Sequence, residues 1–457
     1  MTPRFEAVQE GREKQLLNDG AFHDWYRFVL AFPDHLVVEI CERFGITDKD
    51  TILDPFCGTG TTLVECKKLG IHSVGIEANP VCVFASQVKT NWEIDPRDLR
   101  DAAQTIVRNI TPQNNALSLA EQPLFATISD VDGLKEDLLA SSPEAQYFIA
   151  SGMLAKKWLS EIPFYKTVLL LNEIKRAKIS KEIQNTLKLA VAAILVETVA
   201  NISFGPELYI SGEQKDADVL GAFSAKVAKM ATDLEAAQAS SVHSQTHVFL
   251  GDSRECARIL IQNQISSVDF VITSPPYPTE KDYTRQTRLE LIFLGYVYDR
   301  KSLQAVKQAM IRSHSKGIYR SDHDGNFVRD IPEVRAIADE LRMKVADKTY
   351  GFAKLYPRII EEYFGGMCRH LINLFHILRD GGKCAYVVGD QRTYLQTYTP
   401  TGRILAILAE RIGFKVVDTL VWRVRKGTTG SREEIKEEIV LLQKPSETKS
   451  FFQLSLW

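Results

Sequence analysis

The stretch TSPPYP, residues 273–278, sets a hydroxyl, prolines and an aromatic ring directly after the apolar run VDFVI. Proline cannot donate to a sheet ladder, so Pro275 and Pro276 must lie beyond the last paired position of a buried strand. The result is a stiff, extended corner. It holds the Ser274 hydroxyl, a proline carbonyl and the Tyr277 ring in fixed relation. Ordinary turn chemistry at a strand end would use the same residues, so the corner has to be read with the rest of the chain.

A second constellation lies near the start. DPFCGTGTT (54–62) places Gly58 and Gly60 between an apolar strand pattern and a helix pattern. Glycines let the backbone approach a ligand closely, and in open α/β sheets ligands bind at the carboxyl ends of strands. Glu77 follows at the roughly 20-residue spacing expected of a carboxylate that binds ribose hydroxyls. A dinucleotide is excluded by the missing third glycine, and by Asp54, which would repel a pyrophosphate. No GxxxxGK[ST] is present to cradle phosphates. A carboxylate at position 54 suits an amino-acid ammonium or a sulfonium, so the turn fits an adenosine carrying an amino acid. A tight strand–helix turn without any ligand is the plainer alternative.

These residues need strand ends to position them. TILDPF (51–56) reads as a strand, TTLVECKKLG as a helix ended by Gly70, and HSVGIEA (72–78) as a second strand. THVFLGD (246–252) and VDFVITS (268–274) are a third and a fourth. GGKCAYVVGD (381–390) is a fifth, after the apolar-periodic helix FGGMCRHLINLFHILRD, and FKVVDTLVWRV (414–424) with EEIVLLQK (437–444) forms a closing hairpin. Strands alternating with helices predict an α/β fold with a mostly parallel sheet and an antiparallel pair at one edge. Residues from about 95 to 245 break the alternation and read as mostly helical, as in KEIQNTLKLAVAAILVETVANIS, with TPQNNALSLAEQP and FGPELYISGEQKDA as loops. A second insertion follows the proline corner.

The whole chain sets bounds. Its 457 residues, 45% hydrophobic and 25% charged, suit a soluble globular protein with two or three cores. No apolar run approaches the roughly 20 residues needed to span a bilayer, and the charged, polar stretch MTPRFEAVQEGREKQ has no apolar signal core, so secretion is not expected. Seven cysteines without CxxC or a His/Cys cluster predict a reducing, cytoplasmic setting and no metal site. The net charge of −2 means that any nucleic-acid surface must be a local patch.

Taken together, the motifs resemble the amino-methyltransferases that use S-adenosylmethionine to methylate exocyclic amines of DNA bases. The resemblance rests on DPFCGTGTT as cofactor loop, GIEANP as ribose-binding strand end and TSPPY as catalytic corner. HDWYRFVLAFPDHLV (23–37) is similar to the aromatic segment that precedes the loop in such enzymes, and GDSRE (251–255) to the third strand end. The likeness covers roughly half the chain and implies a Rossmann-like, seven-stranded methyltransferase sheet with a large helical insertion. By this resemblance Asp54, Pro55, Phe56, Gly58, Gly60, Thr61, Glu77 and Asp252 bind S-adenosylmethionine, and Ser274, Pro275, Pro276 and Tyr277 are catalytic. Residues 1–95, 246–278 and 356–457 would form the methyltransferase domain. Residues 96–245 would be the helical insertion and a region for DNA recognition, and 279–355 a second insertion contacting DNA.

The implied chemistry explains the residue types. An exocyclic base amine is a poor nucleophile because its lone pair is conjugated with the ring. The Ser274 hydroxyl and the Pro275 carbonyl would accept hydrogen bonds from that amine, drawing it toward a tetrahedral shape, while Tyr277 stacks on a base flipped out of double-stranded DNA. In this family a serine at the first corner position goes mostly with cytosine N4, and Asp or Asn with adenine N6. Cytosine N4 is therefore the expected target and adenine N6 the alternative. Methylation at C5 needs a thiolate, usually within Pro-Cys, and the chain has no Pro-Cys.

Basic residues cluster in three places suited to phosphate contacts: Lys281, Arg285 and Arg288 after the corner, Arg312, Lys316 and Arg320 in IRSHSKGIYR, and Arg425 and Lys426 in RVRKGTTGSR. AKKWLSEIPFY (155–165) reads first as the end of a core helix. The resemblance implies the modification half of a restriction–modification or other defence system, nucleoid-associated and paired with a cognate endonuclease. An RNA base methyltransferase and a catalytically silent nucleic-acid-binding scaffold are the competing readings. The placement of the larger insertion before GDSRE departs from the family's usual arrangements.

Overall fold

β-branched and apolar runs form seven strands in one sheet: β1 (Thr51–Asp54), β2 (His72–Glu77), β3 (Thr246–Leu250), β4 (Val268–Thr273), β5 (Leu378–Gly389), β6 (Lys415–Lys426) and β7 (Glu434–Gln443). Their spatial order is β6-β7-β5-β4-β1-β2-β3. β1 pairs in parallel with both β2 and β4, and the parallel set continues to β3 on one side and β5 on the other. β7 runs antiparallel between β5 and β6. The expected hairpin is present, with its second strand inside the sheet and its first at the edge. The computed structural model describes residues 20–27, 32–119, 131–204, 208–240, 243–278, 281–348, 351–392, 394–426 and 434–446, without the side chains of Arg425, Lys426 and Glu434.

Strand order reverses at β1, whose neighbours are the strand that follows it and the fourth. Ligands of open α/β sheets bind in the crevice that this reversal opens at the carboxyl ends. The glycine turn follows β1 and the proline corner follows β4, so pairing of Leu53 with Val271 brings the two motifs to adjacent strand ends.

Apolar side chains cover both sheet faces. The Tyr356–Ile377 helix buries Ile360, Phe364, Met367 and Leu371 against one face together with Val271 and Tyr386. The His35–Phe44 helix buries Leu36, Val37 and Ile40 against the other. Gly365 is required by close approach: a Cβ there would lie 1.9 Å from the Asp324 carbonyl oxygen, so only glycine lets the 324–328 turn rest on the helix.

The helical insertion has its own core, which does not stop at its sequence boundaries. Phe164, Leu187, Phe223 and Met230 pack in one cluster with Trp25 and Tyr26 from the N-terminal segment and with Leu289, Ile292 and Phe293 from beyond the corner. Trp25 Nε1 donates to Asp233 at 2.8 Å and Tyr26 Oη to the buried Glu290 at 2.6 Å. The start of the second insertion is thus packed into the first.

Four local expectations are corrected. Residues 111–119 are not a loop: the Pro96–Leu119 helix runs through Pro112. Burial of Ile106, Ile110 and Leu117 on one face outweighs the roughly 3 kcal/mol cost of an internal proline. Within the stretch expected to be a loop, Leu208–Ile210 is a strand that pairs antiparallel with Ile202–Phe204. The helix expected to run on toward residue 203 is α-helical over Lys181–Ile194 and closes in a wide turn at Leu195–Val199. AKKWLSEIPFY does not end a helix; Ser160 precedes the Glu161–Arg176 helix, whose first turn the stretch supplies.

Candidate active site

The turn after β1 is built around a buried carboxylate. Asp54 accepts from Thr62 Oγ1 at 2.6 Å, Thr273 Oγ1 at 2.6 Å and the Phe56 amide at 3.1 Å. Thr62 opens the following helix and Thr273 is the last residue of β4, so one carboxylate ties the glycine turn to the residue before the corner. Burial pushes the Asp54 carboxyl up to about 6, against the pull of these three donors. It is 1% exposed. Both oxygens are engaged within the protein, so Asp54 acts as an anchor of the turn and not as an open carboxylate facing a cation.

Gly58 and Gly60 have φ of +50° and +87°, a region that side-chain-bearing residues rarely adopt. A Cβ on Gly60 would also press on Ser86, whereas nothing lies within 4 Å of the position a Cβ on Gly58 would take. Glu77, at the end of β2, accepts from the Gly58 amide at 3.0 Å and the Asn79 amide at 2.8 Å. A carboxylate can accept about four hydrogen bonds. The half-buried Glu77 therefore retains capacity for ribose hydroxyls beside the open space over Gly58. Burial pushes its carboxyl up to about 7, opposed by the Asn79 and Gly58 amides. These features fit an adenosine-type cofactor. Pro55, Phe56 and Thr61 lie in the same turn and helix start, and the Phe56 ring stands edge-on to His370 at 4.8 Å. His370 is buried and held neutral, pushed down to about 4. Its Nδ1 faces the Ser253 carbonyl and its Nε2 the Tyr386 hydroxyl, so Nδ1 carries the proton.

Asp252 follows β3 as expected, but its carboxylate is occupied. Arg254 binds both oxygens at 2.6–3.0 Å and reaches on to Asp324 at 2.5 Å. That pair fixes the third strand end to the second insertion.

Beyond β4, Ser274 and Pro275 leave the sheet where the sequence places them. The Tyr277 amide donates to Tyr283 Oη at 3.1 Å, and the Pro276 carbonyl accepts from Tyr363 Oη at 2.7 Å. The Asn79 side chain, two residues past Glu77, donates to Thr287 Oγ1 at 2.9 Å. The post-corner segment is thereby tied to the ribose-side strand end. Sequence reading passed over Thr62, Asn79, Thr273 and Tyr363. Thr62 and Thr273 sit inside the quoted motifs and could have been found as hydroxyl partners for Asp54; Tyr363 carries no local signal.

The basic clusters separate. Arg312 is corrected: it is 5% exposed and forms a two-pronged pair with Asp322 at 2.8 and 2.9 Å, with further bonds to backbone carbonyls. It braces the loop and is not offered to phosphate. Lys316 and Arg320 in the same stretch are exposed. Arg288 folds back on Thr284 of the preceding helical turn, Arg285 donates to the Leu208 carbonyl, and Lys281 is half-buried. The side chains of Arg425 and Lys426 and residues 427–433 lie outside the described residues. A cleft of 1060 Å³ beside the helical insertion is lined by Glu93, Asp95, Asp98, Asp101, Glu173 and Glu182 against Arg176 and Lys178, a net negative charge that disfavours phosphates. All seven cysteines are buried and unpaired, and among the described residues no helix is long and apolar enough to cross a membrane.

Comparison with known proteins gives an independent view. A family model described as DNA methylase matches residues 5–87, which hold the aromatic segment, the glycine turn and Glu77. The type II methyltransferase M.BsoBI of Geobacillus stearothermophilus is 25% identical over 469 residues, covering 93% of this chain and 86% of that protein. The type II methyltransferase M.AvaI of Anabaena variabilis is 25% identical over 448 residues, covering 92% and 86%. An rRNA methyltransferase from Streptomyces viridochromogenes aligns over 96% of both chains at 12% identity and a TM-score of 0.32, too loose a likeness to bear on function.

Proposed function

Because this chain belongs to the S-adenosylmethionine-dependent amino-methyltransferase family, we propose that it methylates the N4 amine of cytosine at specific sites in double-stranded DNA. It is a type II DNA methyltransferase of the N4/N6 class. The choice of cytosine N4 is supported by serine at the head of the SPPY corner. The observation that carries the mechanism is the meeting of the two motifs at adjacent strand ends, joined through Asp54, Thr62 and Thr273.

S-adenosylmethionine, when bound, supplies an electrophilic methyl on a sulfonium. Glu77 would hold the ribose hydroxyls, and the turn 54–61 would accommodate the remainder of the cofactor. Ser274 Oγ and the Pro275 carbonyl accept the hydrogen bonds of the target amine and orient its lone pair. Tyr277 stacks on the flipped base, an interaction worth about 1–3 kcal/mol. The protein's contribution is then placement of two reactants in line, together with preorganised acceptors. Lys316 and Arg320, with Lys281, grip phosphates around the extruded base.

The test is nucleoside analysis of DNA from a host expressing the protein. N4-methylcytosine is the expected product. N6-methyladenine would overturn the cytosine assignment and keep the class. Methylated RNA with unmodified DNA would overturn the DNA substrate, and no modified nucleoside in either would leave a binding scaffold.

A further inference from the structure

Within the SPPYP corner one peptide unit has both of its polar groups held by tyrosine hydroxyls. The carbonyl of Pro276 accepts from Tyr363 and the amide of Tyr277 donates to Tyr283, at 2.7 and 3.1 Å. These are the two ends of the single peptide bond that joins Pro276 to Tyr277. We propose that Tyr283 and Tyr363 are positioning residues that clamp this peptide plane and so aim the Tyr277 ring at the extruded base. The proposal rests on the corner reading given under Proposed function.

The sequence explains why a clamp is needed at this joint. Ser274, Pro275 and Tyr277 each precede a proline, which restricts their backbone to extended conformations. Pro275 and Pro276 have φ fixed by their rings. Between Ser274 and Tyr277 only Pro276 precedes a non-proline, so its ψ is the soft torsion, and rotation there would swing the Tyr277 amide and ring together. The two hydroxyls act on the one plane that the prolines leave free.

The clamping side chains come from two separate elements. Tyr363 belongs to the Tyr356–Ile377 helix beneath the sheet, is 1% exposed and packs edge-on to Phe364 at 5.0 Å. Tyr283 opens the short Tyr283–Gln286 turn beyond the corner. Burial raises both hydroxyls above the ordinary phenol value, so neither ionises in the range where methyl transfer is assayed.

The experiment compares Tyr283→Phe, Tyr363→Phe and Tyr277→Ala, alone and combined, in single-turnover transfer of labelled methyl from S-adenosylmethionine to genomic duplex DNA from a host that lacks the protein. Cofactor affinity and thermal stability are measured alongside. Phe retains each ring and removes only the hydroxyl. Each clamp variant should lower the saturating rate by roughly 5- to 30-fold, the consequence of one lost hydrogen bond and an unsatisfied peptide group. The DNA concentration for half-maximal rate and the cofactor affinity should stay unchanged. In the Tyr277→Ala background neither Phe substitution should lower the rate further, because the ring they aim is gone.

Wild-type rates in both Phe variants, with Tyr277→Ala impaired, would overturn the clamp and leave the corner reading standing. Full activity of Tyr277→Ala would remove the corner reading itself. Losses that add in the double variants, or that track melting temperature, would mean the hydroxyls act on the fold and not on Tyr277. Should Tyr363→Phe fail to fold, the half-buried Tyr283 carries the same test.

Discussion

Replacing Thr273 with valine keeps the side-chain shape and removes one of the three donors to the buried Asp54 carboxylate. The folded Asp54 carboxyl is raised from its ordinary 3.8 to about 6, so in the wild type the folded state holds a proton that the unfolded state has already lost between those values. Stability from this group therefore falls as pH rises from about 4 to about 6 and is level above. The Thr273 hydroxyl works against that loss by favouring the ionised form. A hydrogen bond to a charged group is worth about 1.5–3 kcal/mol, so its removal raises the carboxyl by a further one to two units. The penalty of Thr273→Val should thus be small at pH 5 and build between about pH 6 and about pH 8 to roughly 1.5–3 kcal/mol. Urea denaturation of both proteins at pH 5, 6, 7 and 8 measures it directly. A stability difference that is the same at every pH would show that Thr273 acts through packing, and that Asp54 does not link the turn to the corner.

Three further outcomes are expected. The Glu77 carboxyl is raised to about 7 and must be ionised to accept ribose hydroxyls, so cofactor affinity measured by calorimetry should be roughly tenfold weaker at pH 6 than at its high-pH plateau; Glu77→Gln should bind less tightly and lose that pH dependence, and an unchanged slope would count against the assignment. Neutralising Lys316 and Arg320 should flatten the plot of log DNA affinity against log salt by about 0.9 for each phosphate left without its cation, whereas Arg312→Ala should instead destabilise the fold by about 3–5 kcal/mol because Asp322 is left buried without its partner. Ser274→Ala should lower methyl transfer about 10²-fold with cofactor binding intact, and full activity in that variant would discard its role as an acceptor for the amine.

The parallel sheet, its closing hairpin and the two motif-bearing turns were legible because their signals are local. A strand that ends in Gly-x-Gly or Pro-Pro declares its own boundary, and Glu77 declares itself by its spacing from the glycines. The helical insertion was legible as helical, but its edges were not. Pro112 is tolerated only because Ile110 and Leu117 find a core to enter. Charge was read least well. Arg312 looked like one of several basic residues around a glycine, and its pairing with Asp322 depends on a loop closing over ten residues. Asp54 looked like a ligand for a cation; two hydroxyls, one of them from a strand more than two hundred residues away, make it an anchor. Long separation along the chain also hid Tyr363, which meets Pro276 only once its helix has packed beneath the sheet. The sequence by itself determined which groups could take part in the chemistry, since residue type and spacing along one strand end are written locally. Which of those groups are left with an unused donor or acceptor was decided by the tertiary structure alone, because each buried polar atom must find a partner and most partners arrive from elsewhere in the chain.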